Sequence, residues 1–169
     1  MKKILIILTI FTFTTAHSQV KCRAIIDWKY LGTIDIYTRP NDKIIFQVKN
    51  DSLNEDFLLL DILDQTETYF FVSISLNSEQ NKKVGWIKKA DYIGVYVKHE
   101  EFPMDLTIYK DKKESDIDKT VIKKWTSKLL TIELCSDNWT YVLVKHNGQI
   151  YKGWIKTDKL CANSYTYCN

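Results

Sequence analysis

The chain has 169 residues, of which 45% are hydrophobic, 13% aromatic and 27% charged, with five glycines and two prolines. That balance excludes collagen-like, low-complexity and wholly disordered chains, because there is ample apolar material to bury, and the length suits one ordinary domain or two very small ones. The formal charge is +3; without Lys2 and Lys3, 22 basic residues face 21 acidic ones, and so near-neutral a balance gives no electrostatic footprint for nucleic acid.

Lys2 and Lys3 precede an apolar stretch from Ile4 to Phe13 broken only by threonines, and Ala16 and Ser18 follow at alternate places before Gln19. A charged start, a short greasy middle and a small-residue exit predict a cleaved secretory signal peptide over residues 1–18. The apolar run falls short of the ~20 residues that a hydrocarbon span needs. Cys22 does not directly follow the cleavage point, so neither a stable membrane anchor nor a lipid anchor is expected. The expected location is periplasmic or secreted.

Beyond Gln19 the pattern is β. Ile34–Tyr37 reads as a strand that Pro40 ends or confines to an edge. Ile44, Ile45 and Val48 mark the next. Leu58, Leu60 and Ile62 alternate with Leu59 and Asp61, and Thr68 to Ile74 is rich in aromatic and β-branched residues, with a polar turn at Asp64–Glu67 between them. Gly85-Trp86-Ile87 follows the turn at Asn77–Lys83, and Lys89–Ile93 has room for a tight turn before a last strand. Glu100, Glu101 and Pro103 then interrupt the pattern.

The second half begins with Leu106–Tyr109. Ile117 to Trp125 carries apolar residues at helical spacing, but the first half has Ile44, Ile45 and Val48 in the same place, which favours a strand. Leu130, Ile132 and Leu134 alternate again, Trp139 to Lys145 is β-rich, and Asn147-Gly148 is the strongest hairpin signal in the chain. Gly153-Trp154-Ile155 and a turn at Thr157–Leu160 close the series.

These halves repeat one pattern. Ile34-Asp35-Ile36-Tyr37 returns as Leu106-Thr107-Ile108-Tyr109, a shift of 72; Leu60-Asp61-Ile62 returns as Ile132-Glu133-Leu134, and Thr68-Tyr69 as Thr140-Tyr141, both by 72. Gly85-Trp86-Ile87-Lys88 returns as Gly153-Trp154-Ile155-Lys156, shifted by 68. Fixed offsets of this kind point to an internal duplication. Short strands of this number imply a small barrel in each half, closed to avoid free edges.

Each copy resembles a bacterial SH3-like barrel domain, of the kind found in exported and cell-wall-associated proteins. The resemblance rests on Ile36-Tyr37-Thr38-Arg39-Pro40, on a central hairpin, and on Gly85-Trp86-Ile87 and Gly153-Trp154-Ile155, a step that in the family lies on the last long strand before a short 3₁₀ turn. It spans about residues 24–98 and 105–168. Copy two has Lys110-Asp111-Lys112-Lys113 in place of the proline-bearing turn, so the resemblance does not imply equal binding by both. The expectation is an all-β chain of two tandem SH3-like barrels, residues 19–99 and 100–169, after the signal peptide.

Four cysteines, Cys22, Cys135, Cys161 and Cys168, lie beyond the leader, and an even count in an exported chain reads as two disulfides of three possible connectivities. Proximity favours Cys161–Cys168. No Cys-x-x-Cys pair occurs and no histidine has zinc-ligand spacing, so no metal and no cofactor are expected. His99 and His146 are read as solvent-facing, and Asp61, Asp64 and Glu67 as a solvated turn, which leaves no catalytic residues. The pairs Lys82-Lys83, Lys88-Lys89 and Lys123-Lys124 are read as solvated edges.

Aromatic residues are the better candidates, because a tyrosine or tryptophan offers a flat apolar face with a polar handle. Tyr37, Tyr69 and Trp86, with Tyr109, Tyr141 and Trp154 in the second copy, recur at matched places, and Trp139 stands where the first copy has Glu67. The expected function is non-enzymatic recognition of a cell-wall polymer such as peptidoglycan, or of an extended peptide. An inhibitor or immunity-type module that binds an envelope protein is the alternative.

Overall fold

The computed structural model describes residues 20–76, 81–98 and 101–163. The expected signal peptide over residues 1–18, His99 and Cys168 lie outside the described residues.

Within them the chain is all-β. Its strands are β1 (Cys22–Ile26), β2 (Ile34–Tyr37), β3 (Ile44–Val48), β4 (Leu58–Gln65), β5 (Tyr69–Leu76), β6 (Lys83–Lys88), β7 (Ile93–Val97), β8 (Met104–Tyr109), β9 (Lys119–Trp125), β10 (Leu130–Ser136), β11 (Trp139–His146), β12 (Gln149–Lys156) and β13 (Leu160–Cys161). A 3₁₀ turn, Thr157–Lys159, joins the last two. Lys119–Trp125 is a strand, as the comparison of halves predicted. Asn147 (φ 49°) and Gly148 (φ 75°) form the left-handed pair that a two-residue hairpin turn requires between His146 and Gln149.

All pairings are antiparallel, in the order β3-β2-β6-β5-β4-β1-β7-β10-β11-β12-β8-β9, with β13 added to β7. The duplication is visible in this order: β3-β2-β6-β5-β4 in the first half matches β9-β8-β12-β11-β10 in the second. Two separately closed barrels were expected, and this is corrected. The strands make one open ribbon ending at β3 and β9, because β7 passes its free edge to β10 instead of closing the first half on itself.

Strand β7 serves both halves. It lies on β1 through Ile25↔Gly94 and Ile26↔Ile93, and β13 lies on β7 in the equivalent register through Leu160↔Val97 and Cys161↔Tyr96. It also stands to β10 (Gly94↔Thr131) as β1 stands to β4 (Arg23↔Asp61). Gly94 makes this crossing possible: a Cβ there would sit 2.3 Å from the Leu130 carbonyl oxygen.

The inward faces fill a single core cluster. Ile36, Leu60, Phe70, Val72 and Ile87 of the first half join Ile108, Trp125, Leu130, Ile132 and Val142 of the second. Each fully buried residue of this size contributes about 1.5–3 kcal/mol from area removed from water. The free edge β9 carries Lys119, Lys123 and Lys124, charges that discourage edge-to-edge pairing.

Candidate functional site

The Gly-Trp step sets the geometry in each half. A Cβ at Gly85 would lie 2.4 Å from Ile36 Cγ2 and 3.1 Å from the Tyr37 carbonyl oxygen, and one at Gly153 would lie 2.7 Å from the Tyr109 carbonyl oxygen. Glycine therefore lets β6 and β12 lie close against β2 and β8. Since side chains alternate along a strand, the next residue, Trp86 or Trp154, points away from the core.

Trp86 pairs directly with Tyr37 on one side and Phe71 on the other; Trp154 pairs with Tyr109 and Tyr141. The result is one aromatic row per half, crossing three strands on the outer face. Phe71 and Trp86 have ring centroids 5.2 Å apart, Tyr141 and Trp154 5.0 Å. Two places along the hairpin, Tyr69 meets Tyr37 edge-on at 5.8 Å, and Trp139 meets Tyr109 edge-on at 5.8 Å. Tyr69 is buried; the other seven rings are half-buried.

All seven aromatic residues singled out in the sequence thus fall into these two groups. Their matching is corrected. Tyr69 pairs with Lys88 and Trp139 with Lys156, so Trp139 is the counterpart of Tyr69, while Tyr141 is the counterpart of Phe71, which sequence reasoning missed. The offset is 72 from Tyr37 to Tyr109, 70 from Phe71 to Tyr141 and 68 from Trp86 to Trp154, so the second half is two residues shorter before its central hairpin and two shorter after it. Both hairpins carry a β-bulge at the same place, between Ile62 and Asp64 and between Ile132 and Leu134, which leaves the matching of the halves unchanged.

Polar surroundings differ between rows. The Tyr37 hydroxyl donates to Asp35 Oδ2 at 3.4 Å, and burial with the nearby Asp35 charge raises its pKa. The Tyr69 hydroxyl donates to Asn41 Oδ1 at 3.0 Å. In the second row, Lys112 Nζ stands 5.7 Å over Trp154 and Lys156 Nζ 6.0 Å over Trp139, each cation facing the negative face of a ring. Lys112 also bonds Ser136 Oγ at 2.9 Å, and Lys156 pairs with Glu114 at 3.1 Å.

Trp154 borders a cleft of about 1570 Å³ between the halves, with Leu134, Gln65, Lys82 and the Cys22–Cys135 disulfide. Cys161 is disulfide-bonded as well. Cys168, its expected partner, lies outside the described residues.

The carboxylates do not converge. Asp61 is neutralised by Arg23 at 3.3 Å and Lys82 at 2.6 Å, and Asp64 by Lys21 at 2.7 Å. Hydrogen bonding to Lys21 holds the Asp64 carboxyl below the usual range. No group of three or more His, Cys, Asp or Glu side chains among the described residues could hold a metal ion.

Lys89 departs from its reading as a solvated edge. Its Nζ donates to the Glu133 carbonyl oxygen at 2.7 Å and lies 4.6 Å over Phe70, and burial lowers its pKa. It is a strut between halves.

In comparisons with known proteins, no family model, no curated relative and no solved structure matches the chain.

Proposed function

We propose that this is an exported, non-enzymatic binding protein of two SH3-like units, which hold a peptidoglycan strand or an extended peptide of the bacterial envelope along their aromatic rows. The observation that carries the reading is the pair of matching outward rows, Tyr37-Trp86-Phe71 and Tyr109-Trp154-Tyr141. Core demand explains the inward side chains of these strands, but not three rings in line on the opposite face of both halves. A rigid, open aromatic strip suits a thin polymer better than it suits a small buried molecule.

The SH3-like assignment is supported by the repeated strand order, by the Gly-Trp step on β6 and β12, and by the 3₁₀ turn between β12 and β13. The Cys22–Cys135 bond supports export, since structural disulfides persist in oxidising compartments.

Retention of the mature chain on purified cell wall at moderate salt tests the reading. Wild type is retained, and Trp86→Ala and Trp154→Ala each weaken retention by about tenfold, the scale of losing one anchoring ring. Absence of wild-type retention overturns it, as does capture of one envelope protein at fixed stoichiometry by a surface that neither substitution affects.

A further inference from the structure

A second hollow, of about 580 Å³, opens at the Ile26 end of β1, away from both aromatic rows. It is built by the β1–β2 loop (Trp28, Tyr30), the β6–β7 turn (Asp91, Tyr92), Tyr96 of β7 and the β9–β10 loop, so both halves contribute to its wall. Its volume lies within the ~300–1,000 Å³ of ordinary small-molecule sites.

We propose that this hollow is a saccharide-binding site, with Trp28 as the platform for a pyranose ring. Trp28 is 46% exposed although it stands in a tightly held loop. Buried Asn50 fixes that loop, donating from Nδ2 to the Asp27 and Tyr30 carbonyl oxygens at 3.0 and 3.2 Å while its Oδ1 accepts the Leu58 N–H at 3.0 Å. The Asp27 N–H donates to the Tyr92 carbonyl oxygen at 2.8 Å, and the Tyr30 and Tyr92 rings stack at 3.7 Å. A large aromatic surface fixed in place by a rigid loop serves a ligand with little backbone ordering cost at binding.

The polar groups suit hydroxyls. Asp27 and Asp91 can accept, and Lys145 and the phenols of Tyr92 and Tyr96 can donate. Burial raises the pKa of Tyr92 and pushes that of Tyr96 up to about 12, so both phenols keep their protons. A sugar hydroxyl both donates and accepts, and can use this mixture. A cationic ligand cannot: Lys145 already neutralises Asp91 at 3.3 Å, and Lys29 Nζ stands 5.1 Å over the Trp28 ring. Lys29 thus covers the face that a pyranose would take.

Saturation-transfer NMR with a trimer of N-acetylglucosamine tests the site on the full mature chain. Wild type binds saturably in the millimolar range. Trp28→Ala weakens this by about tenfold, and Lys29→Ala, which uncovers the ring, strengthens it severalfold. In a Trp86→Ala/Trp154→Ala background, where the rows no longer compete for the trimer, binding persists and Trp28→Ala still weakens it about tenfold, which separates this site from the cell-wall retention assigned to the rows. No saturation in wild type, undiminished binding in a folded Trp28→Ala variant, or displacement by tetramethylammonium overturns the proposal.

Discussion

Gln65 holds Cys135 as a neighbouring strand would: its Nε2 donates to the Cys135 carbonyl oxygen at 2.7 Å and its Oε1 accepts the Cys135 N–H at 3.0 Å. One side chain at the end of β4 thereby satisfies both backbone groups of a β10 residue from the other half. Together with the shared strand β7, the Cys22–Cys135 bond and Lys89 on Glu133, it makes the junction a continuous structure and not a linker.

Gln65→Ala removes both hydrogen bonds and leaves a part-buried N–H and C=O with poor access to water. The expected loss is about 1–3 kcal/mol, read as a lower denaturant midpoint in equilibrium unfolding. Gln65→Glu keeps the acceptor but loses the donor, and falls between wild type and alanine. Equal midpoints for all three would show that the clamp contributes nothing to stability.

Cys22 and Cys135 are 113 residues apart in sequence, so their bond closes most of the described chain into one loop. In chain-entropy terms a cross-link of that span stabilises by about 4–5 kcal/mol. The Cys22→Ser/Cys135→Ser double variant is expected to lose roughly that amount, a large fraction of the ~5–15 kcal/mol typical of a small protein. Thermal unfolding of the variant beside wild type measures it.

Much of this architecture was legible because it is written in alternation. Leu58, Leu60 and Ile62 announce an inward face wherever the strand is placed, and Tyr37→Tyr109 and Trp86→Trp154 mark equivalent places in the two halves. What was not legible is how the missing residues divide between two connections, and long-range pairing. The repeated Thr-Tyr pair matches Tyr69 to Tyr141 at a shift of 72, whereas the ladder matches it to Trp139 at 70, because the second half is two residues shorter on each side of its hairpin. Phe71 could have been found, because Phe70 and Phe71 must point to opposite faces and only one can fill the core. The double use of β7 had no local sign, since its partners Ile25 and Thr131 are far apart in the chain.

Gly94 and Gly148 test whether close approach or backbone conformation is the costlier demand. A methyl group at Gly94 meets the Leu130 carbonyl oxygen at 2.3 Å and Leu129 Cγ at 2.6 Å, so β7 and β10 must separate. Gly94→Ala is expected to cost about 3 kcal/mol or more. At Gly148 (φ +75°) nothing lies within 4 Å, and only the left-handed backbone is penalised, by about 1 kcal/mol. Differential scanning calorimetry of the two alanine variants ranks them; a smaller loss at Gly94 would mean that the β7–β10 seam yields easily.

Tyr96 makes stability fall at high pH. Burial is the main cause that pushes its phenol from 10.0 up to about 12, with the Asp27 charge adding to it. Between those values the folded chain holds a proton that the unfolded chain has released. The contribution is therefore complete below pH 10 and is lost as the pH rises through about 12. The expected loss is roughly 2–3 kcal/mol, to which the half-buried phenol of Tyr92 adds in the same direction. Denaturant midpoints across the alkaline range measure it, with Tyr96→Phe as the control. That substitution keeps the ring, deletes the titrating group and removes its share of the decline, leaving the share of Tyr92; an unchanged alkaline slope would place the titration elsewhere.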